Sequence, residues 1–134
     1  MLEISTATVR LFLHVLAATV WVGGQLTLAG LLPAVRTLGD DAPRVIARRF
    51  NVFAWGAYAV LVATGIWNLF EVDIGHASDA YLTTLGVKLA FVLLSGVAAA
   101  WHSLASTRVA LAIGGALSGL AALAALFFGV LLRT

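Results

Sequence analysis

The chain has 134 residues, of which 62% are hydrophobic and only 10% are charged, and its mean hydropathy is +1.05. Soluble domains carry about 25% charged residues, so this composition excludes a soluble globular protein and indicates an integral membrane protein. The sequence has no cysteine, which excludes disulfides, thiolate ligands and a c-type haem attachment. The net charge of +2 reports orientation in a membrane protein and does not indicate nucleic-acid binding.

Four segments are long and apolar enough to form membrane-spanning helices, which need roughly 20 mostly apolar residues. We predict helices over about 6–32, 50–70, 81–105 and 109–132. The first should stop at Pro33, and the chain should restart as a helix with Asp41 as the N-cap and Pro43 in the first turn. Short connections place sequential helices side by side and antiparallel. The predicted fold is therefore an all-α integral membrane protein, an up-down four-helix bundle in a single domain, residues 1–134.

The positions of the arginines predict how the chain is oriented, because cytoplasmic loops carry an excess of Lys and Arg. The third connection holds Arg108, whereas the second loop, EVDIGHASDA (71–80), is acidic. The first loop is basic, with Arg36, Arg44, Arg48 and Arg49. We therefore expect the first and third loops in the cytoplasm, both termini outside, and a multi-pass protein of the plasma membrane.

The first predicted helix carries polar residues that a lipid-facing span does not need. Helical spacing places one set on a single face: His14, Ala18, Trp21, Gln25 and Leu28. His14 is either a ligand or proton-handling group, or a hydrogen-bond donor to a neighbouring carbonyl. Trp21 lies near the midplane and either packs the core or walls a ligand, and the Gly-Gly pair beside it lets a helix or a flat ligand come close. Arg10 is expected to anchor the helix at the interface.

The third predicted helix carries a polar seam that should face the protein interior. Its members are seven residues apart: Tyr81, Lys88, Ser95 and His102. At about 1.5 Å per residue, His14 and Lys88 lie at about the same depth in the outer leaflet, and His102 lies about 21 Å further along. One metal or haem cannot then be bound by His14 and His102 of the same chain. Lys88 is either functional or extends its amine to the interface, and His102 is expected at the inner boundary.

The second and fourth helices carry fewer chemical signals. Trp55 and Trp67 lie towards the two ends of the second helix and are predicted to be interfacial belt residues. The fourth helix has a predicted close-packing face of Gly115, Ser118 and Gly119. Besides the lipid bilayer, the expected partner is therefore a second copy of the chain or a larger membrane complex that packs against helix four.

Three segments resemble the CopD-like copper resistance membrane proteins. They are HVLAATVWVGGQL (14–26), RRFNVFAWGAYAVLVATGIWNL (48–69) and YLTTLGVKLAFVLL (81–94). The same scaffold resembles the HemJ-type protoporphyrinogen oxidases, small four-helix proteins that bind b-type haem. The resemblance implies that His14 is the haem or metal ligand and that Lys88 is its partner or a propionate contact. The CopD-like proteins are associated with copper movement into the cytoplasm.

These observations leave three functional hypotheses, and whether the protein is an enzyme stays open. The first is a haem-binding protein for electron transfer or redox chemistry, with His14, Lys88, Trp21 and Arg10 as the cofactor-binding residues. The second is copper handling, in which His14, His76 and carboxylates of the outer loop supply nitrogen and oxygen ligands. The third is a structural membrane subunit whose polar groups only fix helix packing.

Overall fold

The computed structural model describes residues 3–134, which contain helices and no strand. The four long helices are α1 (Thr6–Arg36), α2 (Ala42–Phe70), α3 (Asp79–Leu104) and α4 (Arg108–Leu131). Each is long and apolar enough to cross a bilayer, where a helix satisfies its own backbone hydrogen bonds. The all-α fold with four spanning helices is confirmed, and the chain is a multi-pass membrane protein.

The chain divides into two compact units, residues 1–72 and residues 73–134. The first hairpin consists of α1 and α2, and the second hairpin consists of α3 and α4. Contacts run in opposite directions along the two helices of the first hairpin: Arg10 meets Glu71, and His14 meets Thr64. In the second hairpin Phe91 stacks on Phe128, and Ser95 bonds to Ser118. Both hairpins are therefore antiparallel, as the short connections predict.

Two helix ends differ from the predicted ones. The first helix passes through Pro33 and ends at Arg36. Proline removes one backbone hydrogen bond and crowds the carbonyl four residues earlier, but the N–H groups that follow it can still bond and complete one more turn. The chain then turns through Gly39, whose φ of +137° is accessible to glycine but rarely to other residues. The second helix begins at Ala42, not near residue 50, since arginines are good helix formers that a hydropathy window does not register. Asp41 does occupy the N-cap position, as predicted.

Helix α1 is not uniform, because a π-helical turn interrupts it. Residues Thr6–Ala18 and Gly24–Arg36 are α-helical, and Thr19–Gly23 form the π turn. The wider turn takes in an extra residue. The predicted face keeps its burial across it, since Trp21 is buried and His14, Ala18, Gln25 and Leu28 are half-buried. Side chains support the backbone here: Gln25 Nε2 donates to the Trp21 carbonyl at 3.1 Å. Gln25 thus stabilises the π turn by a hydrogen bond. Residue spacing in the sequence does not indicate this role.

The second hairpin is closed by small residues. Ser95 Oγ donates to the Ser118 carbonyl at 2.9 Å, and Ser118 Oγ donates to the Ser95 carbonyl at 3.0 Å. Around this reciprocal pair the buried side chains are those of Ala98, Ala121, Ala122 and Ala125. Small side chains let two helices approach closely where lipid gives no hydrophobic drive between them. Ser118, predicted to lie on a close-packing face of helix four, packs within its own hairpin.

Candidate functional site

The first hairpin holds a polar contact between the first third of α1 and the last third of α2. The imidazole of His14 is half-buried, and its Nδ1 lies 2.8 Å from Thr64 Oγ1. Thr64 is 5% exposed, and its hydroxyl donates its one proton to the Val60 carbonyl at 2.7 Å. The hydroxyl must therefore accept from His14, so Nδ1 carries a proton and acts as the donor.

This hydrogen bond decides which nitrogen of His14 has ligand chemistry. In the neutral imidazole a protonated Nδ1 places the lone pair on Nε2. Metal-binding histidines commonly donate their other ring N–H to a fixed acceptor, which sets the tautomer and the ring orientation. Thr64 provides such an acceptor from a helix interior. The Nδ1 contact of His14 is with a hydroxyl on the other helix of the hairpin.

An ion pair between a buried arginine and a half-exposed glutamate lies one turn from His14 along the same helix. Arg10 is 9% exposed, and its Nη1 lies 2.9 Å from Glu71 Oε1. The guanidinium carbon sits 5.9 Å from the centre of the Trp67 ring, which is within range of a cation–π contact. Arg10 Nε is buried and has no hydrogen-bond partner among residues 3–134. The Arg10 side chain is therefore buried in the first hairpin, where it is held by Glu71 and Trp67.

An aromatic cluster occupies the deeper part of the first hairpin, beside the π turn. Trp21 is 3% exposed, and its ring centre lies 4.6 Å from that of Tyr58 and 5.8 Å from that of Trp55. Trp55 thus packs against Trp21 and Tyr58 within the hairpin, and its place in an interfacial belt stays a prediction. A Cβ on Gly24 would lie 2.6 Å from Phe50 Cε2. The Gly24 position therefore receives the ring of Phe50, a close approach within the chain itself.

The remaining predicted site residues belong to the second hairpin. Lys88 is half-buried, and its Nζ would lie 3.5 Å from a Cβ placed on Gly129. Residues 73–134 offer Lys88 no ion-pair partner. His76 is exposed and bonds to Asp73 Oδ2 at 2.7 Å. The part of the chain from residue 3 to residue 134 contains no group of three or more His, Asp or Glu side chains placed to hold a metal ion.

His102, expected at the inner boundary, fixes the turn between α3 and α4. Its Nδ1 donates to the Leu111 carbonyl at 2.7 Å. A Cβ on Gly114 would lie 3.0–3.2 Å from three atoms of His102, two of them in its backbone. The histidine thus has a structural role at a tight helix contact.

Three predicted residues, Arg10, His14 and Trp21, therefore lie along the inner side of the first hairpin. Their partners on α2 were not singled out as site residues. Thr64 lies next to a glycine near the far end of the apolar run, and Glu71 is the first residue of the acidic loop. A carboxylate just beyond a span was the one available signal, since a buried arginine needs a counter-charge. Nothing in the spacing indicates that a threonine receives a histidine.

Comparison of the chain with protein-family models, with curated proteins and with solved structures finds no match. The first hairpin combines an oriented imidazole, a buried guanidinium whose Nε has no hydrogen-bond partner among residues 3–134, and a packed cluster of aromatic rings.

Proposed function

We propose that the protein binds b-type haem through His14 and takes part in electron transfer or another redox reaction. The observation that carries the proposal is the hydrogen bond between His14 Nδ1 and Thr64 Oγ1, which orients the ring. In this proposal Nε2 coordinates the iron. Neutral imidazole is a common axial ligand of haem iron. The resemblance to the CopD-like and HemJ-type proteins supports the same choice of residue.

The other residues of the first hairpin have supporting roles in this proposal. Arg10 Nε is a buried donor for a carboxylate such as a haem propionate, while Glu71 holds the rest of the guanidinium in place. Trp21 and its aromatic neighbours exclude water from the deeper side. Lys88 enters the proposal through the resemblance alone. A bound haem would supply one-electron chemistry at its iron, tuned by the ligand and the surroundings.

The test is the absorbance spectrum of the protein purified in detergent after expression with haem available, with metal analysis of the same sample. We expect a Soret band that shifts on reduction with dithionite and that His14→Ala abolishes. The matched control is His102→Ala, because that imidazole is engaged by a backbone carbonyl at the helix turn.

Three other outcomes would contradict the proposal that His14 binds haem. A Soret band that survives in His14→Ala would assign the ligand elsewhere. If the protein held stoichiometric copper and no haem, and if replacing His14 and His76 removed the copper, its function would be copper handling. A colourless, metal-free protein that retains its function after His14 and Lys88 are replaced by apolar residues would be a structural subunit.

A further inference from the structure

The first hairpin has an apolar groove on its outer surface between α1 and α2. The groove has a volume of about 480 Å³. Its walls come from both helices and include Leu13, Leu16, Val20, Val52, Phe53 and Val60. Val52 and Phe53 are 74% and 76% exposed. Gly56 lies along the groove, and a Cβ added there would meet nothing within 4 Å. A side chain at Gly56 would therefore project into open space in the groove.

A basic concave surface adjoins the groove at the N-terminal end of α2. It is lined by Asp41, Arg44, Val45, Arg48, Arg49 and Val52, and its volume is about 500 Å³. Val52 lines both this surface and the apolar groove. The two are therefore parts of one surface, with charge at one end and hydrocarbon along the rest.

The charges of the basic surface do not cancel. Its three arginines face one carboxylate, that of Asp41, which lies 3.5 Å from Arg44 Nη1. Within residues 3–72 neither Arg48 nor Arg49 has an ion pair. The surface thus keeps a net positive charge at the end of a spanning helix, where lipid phosphates lie.

We propose that this surface binds one anionic phospholipid, with the phosphate at the arginines and an acyl chain in the groove. The groove runs along α2 from Val52 to Val60, which is about 12 Å at the rise of a helix. Half of the hydrocarbon core is about 15 Å thick, so the groove matches most of one acyl chain. The predicted orientation places the arginines in the cytoplasmic leaflet, where anionic lipids are enriched. The lipid site does not depend on haem binding by His14.

The experiment measures lipid retention by native mass spectrometry of delipidated protein in detergent, to which dioleoyl phosphatidylglycerol is returned. Dioleoyl phosphatidylcholine is the neutral counterpart, and glycerol 3-phosphate supplies the anion without acyl chains. We expect one phosphatidylglycerol to be retained in preference to phosphatidylcholine. Arg44→Gln and Arg48→Gln should each weaken its binding about fivefold, because each basic residue near a membrane surface adds about that factor in affinity for anionic lipid.

Two glycine variants test the groove separately from the charges. Gly56→Leu fills it and should abolish retention while the helical circular dichroism is unchanged. Gly86→Leu is the matched control, since Gly86 is an exposed helical glycine in the second hairpin that also has open space at its Cβ. Retention should be normal in that variant.

Three outcomes would overturn the lipid proposal. If phosphatidylcholine were retained as well as phosphatidylglycerol, the arginines would not select the lipid headgroup. Displacement of phosphatidylglycerol by an equal concentration of glycerol 3-phosphate would leave only an anion site. A dimer that Gly56→Leu converts to a monomer would assign the groove to a second copy of the chain. The Soret band reports the haem proposal independently in every one of these samples.

Discussion

At the residue scale, two polar side chains of α1 find their partners on α2 and on the residue that follows it. His14 donates to Thr64, and Arg10 pairs with Glu71. Both residues could be recognised from the sequence, because an arginine and a histidine have no reason to face lipid. Their partners could not be assigned, since the contacts join positions far apart in the chain. Thr64 orients the ring of His14, and Glu71 neutralises the charge of Arg10. These partners determine the chemistry of the two side chains.

We expect the Thr64 hydroxyl to strengthen haem binding by orienting the imidazole of His14. Thr64→Val keeps the shape of the side chain but removes the acceptor of the His14 Nδ1 proton. Loss of such a supporting hydrogen bond typically weakens metal binding about 10–100-fold, so the Soret band should persist with weaker haem affinity, measured by haem titration. Thr84→Val is the control, because that hydroxyl donates only to its own helix, at Ala80. Equal haem affinity in the two variants would refute the orienting role of Thr64.

Glu71 is expected to stabilise the first hairpin through Arg10. Glu71→Gln leaves a buried guanidinium without its counter-charge, which costs about 3–5 kcal/mol when both partners are buried. Because the Glu71 side chain is 55% exposed, we expect the free energy of unfolding to fall by about 1–3 kcal/mol. Unfolding of the detergent-solubilised protein by SDS measures this. Asp41→Asn, which breaks the exposed pair with Arg44, should change it by less than about 1 kcal/mol.

At the scale of the elements, α1 departs from regular helical geometry and α3 and α4 make a very close contact. The π turn at Thr19–Gly23 widens α1, and π turns are frequent at functional sites. Hydropathy predicts that this segment is a spanning helix, but it does not predict the extra residue in the turn. The close contact is that of Gly114 with His102, where α3 and α4 leave no room for a side chain at position 114.

Gly114 and Gly86 are expected to respond oppositely to the same substitution. In Gly114→Ala the new Cβ would press on the backbone of His102, and overpacking of this kind costs about 1–3 kcal/mol. In Gly86→Ala the Cβ meets nothing within 4 Å, and alanine in a helix is favoured over glycine by about 0.5–1 kcal/mol. Unfolding in SDS should show the first variant destabilised and the second unchanged or stabilised. A destabilised Gly86→Ala would contradict this account of the difference.

At the scale of the whole molecule, composition and hydropathy predict most of the architecture. Four spanning helices, the restart at Asp41 and antiparallel neighbours all follow from apolar length, turn residues and short loops. The division into two hairpins does not follow, because it depends on which helix faces fit together. Arg10 is an example. A hydropathy scale assigns an arginine one fixed free-energy cost of membrane insertion, whereas the actual environment of Arg10 is set by its contacts with Glu71 and Trp67.

The orientation of the chain is a prediction that the absence of cysteine makes simple to test. The basic first loop should lie in the cytoplasm and the acidic second loop outside. A single cysteine in His76→Cys should react with a membrane-impermeant maleimide on intact cells. One in Asp40→Cys should react only after the cells are permeabilised. The reverse labelling pattern would invert the predicted topology and place the basic surface of α2 in the outer leaflet.

The pairing of Arg10 with Glu71 also bears on how the protein is made. Arg10 is synthesised well before Glu71, so α1 first meets the membrane with a guanidinium that has no counter-charge. An arginine at the centre of a span costs about 2.5–3.5 kcal/mol on insertion scales, and less near its end. The pair can form only when the end of α2 reaches the same side as the start of α1. The first two helices should therefore leave the translocon together, as a preassembled hairpin.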